Sequence, residues 1–247
     1  GDLNVGDSVG STITQVTLVL GLLPILARRS FTVGRDRVLL PALIIAGQLV
    51  VIAILLQDGQ FARVDGAILL SLWAGGSFFL WRKAPSHSEP AISVPSRRRS
   101  YHAGAALLAL VIVGVGATLA VVGFIELAEA FGVPEFMIAF FGQAVGTSLP
   151  ELMVAVTAIR RGERDLAIGD IFGASLLDSS LSIGIGPLIA PTAITADLAV
   201  ASALAGAATL LIIAALMSRF ERHTVWTGLV LLALYAAFFP LLLTIQG

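Results

Sequence analysis

The chain has 247 residues, of which 57% are hydrophobic and only 13% charged, with a net charge of −1. Together with a mean hydropathy of +0.96, this balance excludes a soluble domain or a nucleic-acid binder and points to a polytopic membrane protein. Cysteine is absent, which excludes disulfides and thiol chemistry.

Nearly uncharged runs predict eight membrane-spanning helices, at 9–27, 38–56, 66–81, 103–125, 133–159, 166–189, 198–217 and 224–245. Most are near the ~20 residues a helix needs to cross the hydrocarbon. The ~10-residue alternating segments of a membrane barrel are missing, so the expected fold is all-α. The first span opens on GDSVGSTITQVTLVLGLLP (6–24), and Arg28, Arg29, Arg35 and Arg37 follow it. After the third span come Arg82 and Lys83, then APSHSEPAISVPSRRRSYH (84–102), rich in proline and serine and read as a linker between two halves. The span 103–125 contains GVGATLAVVG, whose small residues permit close approach of another helix. The next span holds GQAVGTSLPELMVAV (142–156), which puts a threonine, a serine, a proline and a glutamate where water is scarcest. Arg160, Arg161 and Arg164 lead into GDIFGASLLDSSLSIGIGP (169–187), and Arg219 and Arg222 separate the last two spans.

Assigned to these loops, fourteen of the fifteen Lys and Arg residues fall on one side, Arg63 alone on the other. The positive-inside rule makes those loops, 82–102 included, cytoplasmic and turns both ends of the chain outward. A shift of 163 residues lays 6–24 over 169–187, matching Gly6, Asp7, Gly10, Leu18, Gly21 and Pro24 to Gly169, Asp170, Gly173, Leu181, Gly184 and Pro187. The first copy runs out-to-in and the second in-to-out, so the repeat is inverted, an arrangement of secondary transporters. The expected organisation is the remainder of a first repeat at 1–81, a linker at 82–102 and a second repeat at 103–247.

Pro150 has no N–H and frees the carbonyl of Gly146, while Ser148 and Glu151, three apart, share a helix face. With Thr147 they gather carboxylate, hydroxyl and bare carbonyl oxygens, a set that suits Na⁺ or Ca²⁺. Asp178 supplies a second carboxylate in the following span, and no Lys or Arg within the spans can neutralise either one. Each costs about 2.5–3.5 kcal/mol at mid-membrane on insertion scales, which makes a bound cation or a proton the natural counter-charge. The histidines, His87, His102 and His223, lie in or beside loops, so softer metals find no intramembrane ligands of their usual kind. Asp7 and Asp170, each after a glycine, read as helix N-caps.

GTSLPE (146–151) followed by RRGERDLAIGDIFGASLLD (160–178) resembles the second α-repeat of the cation/calcium exchanger (CaCA) superfamily, the Na⁺/Ca²⁺ antiporters. The resemblance implies an inverted-repeat exchanger fold of ten helices, of which this chain would hold helices 3 to 10 and lack the first two, with the partner glutamate. It implies a membrane transporter rather than an enzyme, exchanging Ca²⁺ for Na⁺ across the plasma membrane by alternating access without a cofactor. It also implies that Glu151 and Asp178 are cation-binding carboxylates, that Thr147 and Ala144 offer backbone carbonyls, that Ser148 offers its hydroxyl, and that Ser11 and Gln15 line the site from the other repeat. Ala174, Gln15 and Ser175 depart from the family pattern. An H⁺/Ca²⁺ antiporter is the alternative. An intramembrane aspartyl protease is remote, because it would want Tyr-Asp and Gly-x-Gly-Asp settings, whereas this chain has NVGD and AIGD and neither tyrosine precedes an aspartate.

Overall fold

The computed structural model describes residues 2–83, 96–130, 132, 135–220 and 222–246. Where water is absent, backbone N–H and C=O groups must be paired within the segment, and these apolar runs are helical. Twelve α-segments follow in order: α1 (Asp2–Thr14), α2 (Leu20–Leu26), α3 (Arg35–Leu55), α4 (Arg63–Lys83), α5 (Ser96–Ala130), α6 (Glu135–Met137), α7 (Ala144–Thr147), α8 (Leu149–Arg161), α9 (Arg164–Leu177), α10 (Ile183–Ile189), α11 (Ala196–Arg219) and α12 (Val225–Gln246). Wider π-helical turns at Gln15–Val19, Ile138–Gln143 and Asp178–Ser182 join α1 to α2, α6 to α7 and α9 to α10. Among the described residues six helices are long and apolar enough to cross a membrane, and the bent pair Ile138–Thr147 and Leu149–Arg161 makes a seventh if taken as one span. The 35-residue α5 stands where the remaining span is expected. Residues 84–95 of the expected linker lie outside the described residues.

The first span starts at Asp2 rather than at residue 9, so Asp7 lies inside α1, and Asp170 lies inside α9. Neither is an N-cap. Helical pairing runs through the polar stretch of α1, where the Thr12 hydroxyl bonds back to the Ser8 carbonyl at 3.0 Å. Ahead of α9 the chain turns at Gly162, whose φ of 87° suits glycine, and re-enters helix at Arg164, six residues before Asp170.

The inverted repeat is visible residue by residue. The 163-residue shift carries the π-turn Gln15–Val19 onto Asp178–Ser182 and α2 onto α10, end to end. At the centre α3 packs along α11 through small residues, and a Cβ at Gly206 would lie 3.0 Å from both Ile13 and Leu49. Two crossings obey the same symmetry: a Cβ at Gly228 would lie 2.4 Å from the Gly21 carbonyl oxygen, and one at Gly66 would lie 2.5 Å from that of Gly184. Short antiparallel ladders join loops of opposite repeats, β1 (Phe31–Thr32) with β4 (Arg222–His223) at one end and β2 (Gln60–Phe61) with β3 (Thr192–Ala193) at the other.

Pro24 and Pro187 each remove a helical donor and free the carbonyl four residues back. The freed Leu20 oxygen is 2.8 Å from His223 Nε2, and the freed Ile183 oxygen accepts from Asn4 Nδ2 at 3.3 Å. α5 packs against the π-turn Ile138–Gln143 and α7, but its Gly104, Gly114, Gly116 and Gly123 would meet nothing within 4 Å among the described residues on gaining a Cβ.

Candidate cation-binding site

Ser148 sits at the break between α7 and α8 with φ −90° and ψ 0°, and the two halves of the span meet at 42°. Pro150, which cannot continue the ladder, lies just beyond it in the first turn of α8. Ser148 is 1% exposed, and its hydroxyl has no partner among the described residues. Glu151, in the same first turn, has a buried Oε2 that is likewise unpartnered. Orphaned buried oxygens of this kind cost the full desolvation of the group unless a ligand or water meets them.

Opposite this break, α1 approaches unusually closely. A Cβ at Gly10 would lie 2.6 Å from the Phe140 carbonyl oxygen, and one at Gly6 would lie 3.0 Å from that of Phe136. Glycine at both positions is therefore what lets the helices meet. The approach brings Ser11 Oγ to 3.1 Å from Thr147 Oγ1. The same Thr147 hydroxyl reaches the Ala144 carbonyl at 3.2 Å and Asp7 Oδ1 at 3.4 Å. Ala144 O also accepts from Ser148 N–H at 3.2 Å, so that carbonyl is already engaged.

Gln15 and Asp178, repeat mates that each begin a π-turn, meet across the pseudo-twofold axis, with Gln15 Nε2 donating to Asp178 Oδ2 at 3.0 Å. Gln15 Oε1 accepts from Ser175 at 2.7 Å, and Asp178 Oδ1 accepts from Ser182 at 3.2 Å. Ser179 beside them donates to Gln48 Oε1 at 2.6 Å, and Gln48 Nε2 reaches the Leu72 carbonyl at 3.4 Å.

Of the seven residues singled out from the sequence, Ser11, Thr147 and Ala144 form one connected group and Gln15 and Asp178 a second. Glu151 and Ser148 hydrogen-bond to neither through their side chains. Among the described residues no three acidic or histidine side chains gather as a metal centre; Asp178 is accompanied by an amide and a hydroxyl instead, and Asp7 by a hydroxyl. Asp7, read from the sequence as a cap, Ser175, read as a departure from the family pattern, and Gln48, not singled out at all, join the site. A polar side chain inside a predicted span was the available signal for Gln48.

Inverted helical repeats meeting at broken and widened turns lined with oxygen donors define the secondary-transporter class of membrane protein. A family model described as sodium/calcium exchanger protein matches residues 1–82 and 101–244. The chain belongs to that family. It is 34% identical over 202 residues to the inner membrane protein YrbG of Escherichia coli (strain K12), covering 77% of this chain and 61% of that one. To the putative antiporter CaxA of Alkalimonas amylolytica it is 32% identical over 209 residues, covering 79% and 63%. The chain thus spans about three fifths of the length of these relatives. A solved structure of the sodium-calcium exchanger NCX_Mj, soaked with Na⁺ and Sr²⁺, aligns with a TM-score of 0.68 at 26% identity over 95% of this chain and 75% of that one. The H⁺/Ca²⁺ exchanger CAX aligns with a TM-score of 0.70 over 99% and 70%, and at 15% identity it shares the fold alone.

Proposed function

We propose that the chain carries the larger part of a cation antiporter that exchanges Ca²⁺ for Na⁺ by alternating access, with Glu151 and Asp178 as the charged ligands of the transported ions. Ser148, Thr147, Ala144, Ser11 and Gln15 complete the set from both repeats. The observation that carries this reading is the pair of unpartnered buried oxygens, Glu151 Oε2 and Ser148 Oγ, at a broken helix. They face a membrane interior in which the described residues supply no positive side chain. Hard oxygen donors without nitrogen or sulfur fit Na⁺ and Ca²⁺.

The driving ion is Na⁺ in this reading and H⁺ in the alternative. The protein resides in the cell membrane, with the 82–102 segment cytoplasmic. Among the described residues the α9 face that mirrors the covered face of α1 is bare: Gly169 and Gly173, the mates of Gly6 and Gly10, would meet nothing within 4 Å.

The test is Ca²⁺ flux into proteoliposomes carrying the whole gene product, under a Na⁺ gradient and then under a pH gradient. Flux driven by Na⁺ supports the first reading, flux driven only by the pH gradient supports the second, and inertness to both removes the exchanger reading.

A further inference from the structure

We infer that Asp7 is a positioning residue for cation binding: it accepts the Thr147 hydroxyl proton and so turns the Thr147 and Ala144 oxygens toward the ion. This rests on the cation site proposed above and deepens it.

Thr147 has one hydroxyl hydrogen and three acceptors within reach, Ser11 Oγ at 3.1 Å, Ala144 O at 3.2 Å and Asp7 Oδ1 at 3.4 Å. None is at the 2.7–2.8 Å of a settled O–H···O bond, so the hydrogen is shared rather than committed. A cation binds through lone pairs and repels the hydroxyl hydrogen, which must then point away from it. Two of the three acceptors, Ser11 Oγ and the Ala144 carbonyl, belong to the proposed ion shell and are needed for the ion. Asp7 is the third and lies outside that shell. As a carboxylate it is also the strongest acceptor of the three, since a charged acceptor roughly doubles the strength of such a bond.

The placement is specific. Asp7 and Ser11 are one helical turn apart on α1, and the glycines at 6 and 10 set that face against the π-turn and α7. The carboxylate that reads locally as a cap therefore reaches Thr147, 140 positions away. Taking the hydrogen also leaves the Ala144 carbonyl with one lone pair free, its other being held by Ser148 N–H. Groups that orient ligands in this way typically change metal affinity 10–100-fold when removed.

The experiment titrates Ca²⁺, and separately Na⁺, into the purified whole gene product in detergent, for wild type, Asp7→Ala, Asp7→Asn, Thr147→Val and the double variant Asp7→Ala/Thr147→Val. Asp7→Ala is expected to weaken Ca²⁺ roughly tenfold, and Asp7→Asn, which keeps an acceptor oxygen without the charge, to recover part of that loss. Adding Asp7→Ala to Thr147→Val is expected to cost nothing further, because the hydroxyl that Asp7 serves is already gone. Wild-type affinity in Asp7→Ala, or a double variant weaker than Thr147→Val by the full Asp7→Ala factor, overturns the inference. Failure of Asp7→Asn to recover affinity overturns it as well, and this outcome is read even if Asp7→Ala does not fold. A wild-type protein that binds neither ion overturns the cation site itself, and this inference with it.

Discussion

Glu151 lies in the first turn of α8, just beyond the break, with an oxygen that no group among the described residues satisfies. Glu151→Gln keeps the shape and removes the charge, so divalent binding is expected to be lost while the protein still folds. Calorimetric titration of the variant with Ca²⁺ checks this, and retained affinity would count against the assignment. His223 gives a second residue-scale prediction. It is fully buried, its Nε2 donates to the carbonyl that Pro24 frees, and its Nδ1 faces Thr227 Oγ1 at 2.8 Å. Burial pushes its pKa down, against a smaller upward pull from the Leu20 carbonyl. The folded state therefore holds His223 neutral, whereas the unfolded chain takes up a proton near pH 6.5. Its contribution to stability is full above about pH 6.5 and declines as the pH falls from there through the lowered folded value. His223→Ala leaves the Leu20 oxygen orphaned, which costs about 1–3 kcal/mol. Melting temperatures in detergent, scanned from pH 8 to pH 5, should show a lower plateau and a shallower acid decline in the variant.

At the scale of elements, the crossings of α2 with α12 and of α4 with α10 depend on glycine at four symmetric positions. Gly228→Ala forces a Cβ against a backbone oxygen, not a pliable side chain, and should cost about 1–3 kcal/mol. Gly47→Ala, where a Cβ meets nothing within 4 Å, is the control and should leave the melting temperature unchanged or slightly raised. The crossings explain in physical terms what was legible in the sequence. Spans and inverted copies could be read because hydropathy and Gly/Pro punctuation are local, and Gly21 with Pro24 marks its own mate in Gly184 with Pro187. The π-turns could not be read, since no residue type announces them, although Gln15 and Asp178 owe their meeting to them. Asp7 was misread because Gly-Asp-Ser looks like a helix start when the residues ahead of it are not known to be helical. Asn4 and His223 were invisible as caps, because their carbonyl partners lie 179 and 203 positions away.

For the whole molecule, the arginines that mark one membrane side also hold it together. Arg160 donates to the Leu26 carbonyl at 2.8 Å, closing the end of α2, and Arg37 pairs with Asp165 at 3.3 Å. Being exposed, the Arg37–Asp165 pair is worth little by itself, so the strand ladders are the firmer links between repeats. A chain without native cysteine allows a direct test. Gln60→Cys with Ala193→Cys, directly paired across β2 and β3, should form a disulfide on mild oxidation, since facing strand residues meet the Cα spacing such a bond needs. A gel-shift assay after proteolysis reads the link, and no cross-linking would mean that the two loops part in the membrane.

The ladders sit at opposite ends of the bundle, and each stitches one half of the chain to the other. A clamshell that opens at one rim by splaying the halves apart would have to tear its own seam. If the chain works as proposed above, access to the two sides comes from parts outside the ladders, α5 and the broken α7–α8, moving against a frame that stays laced.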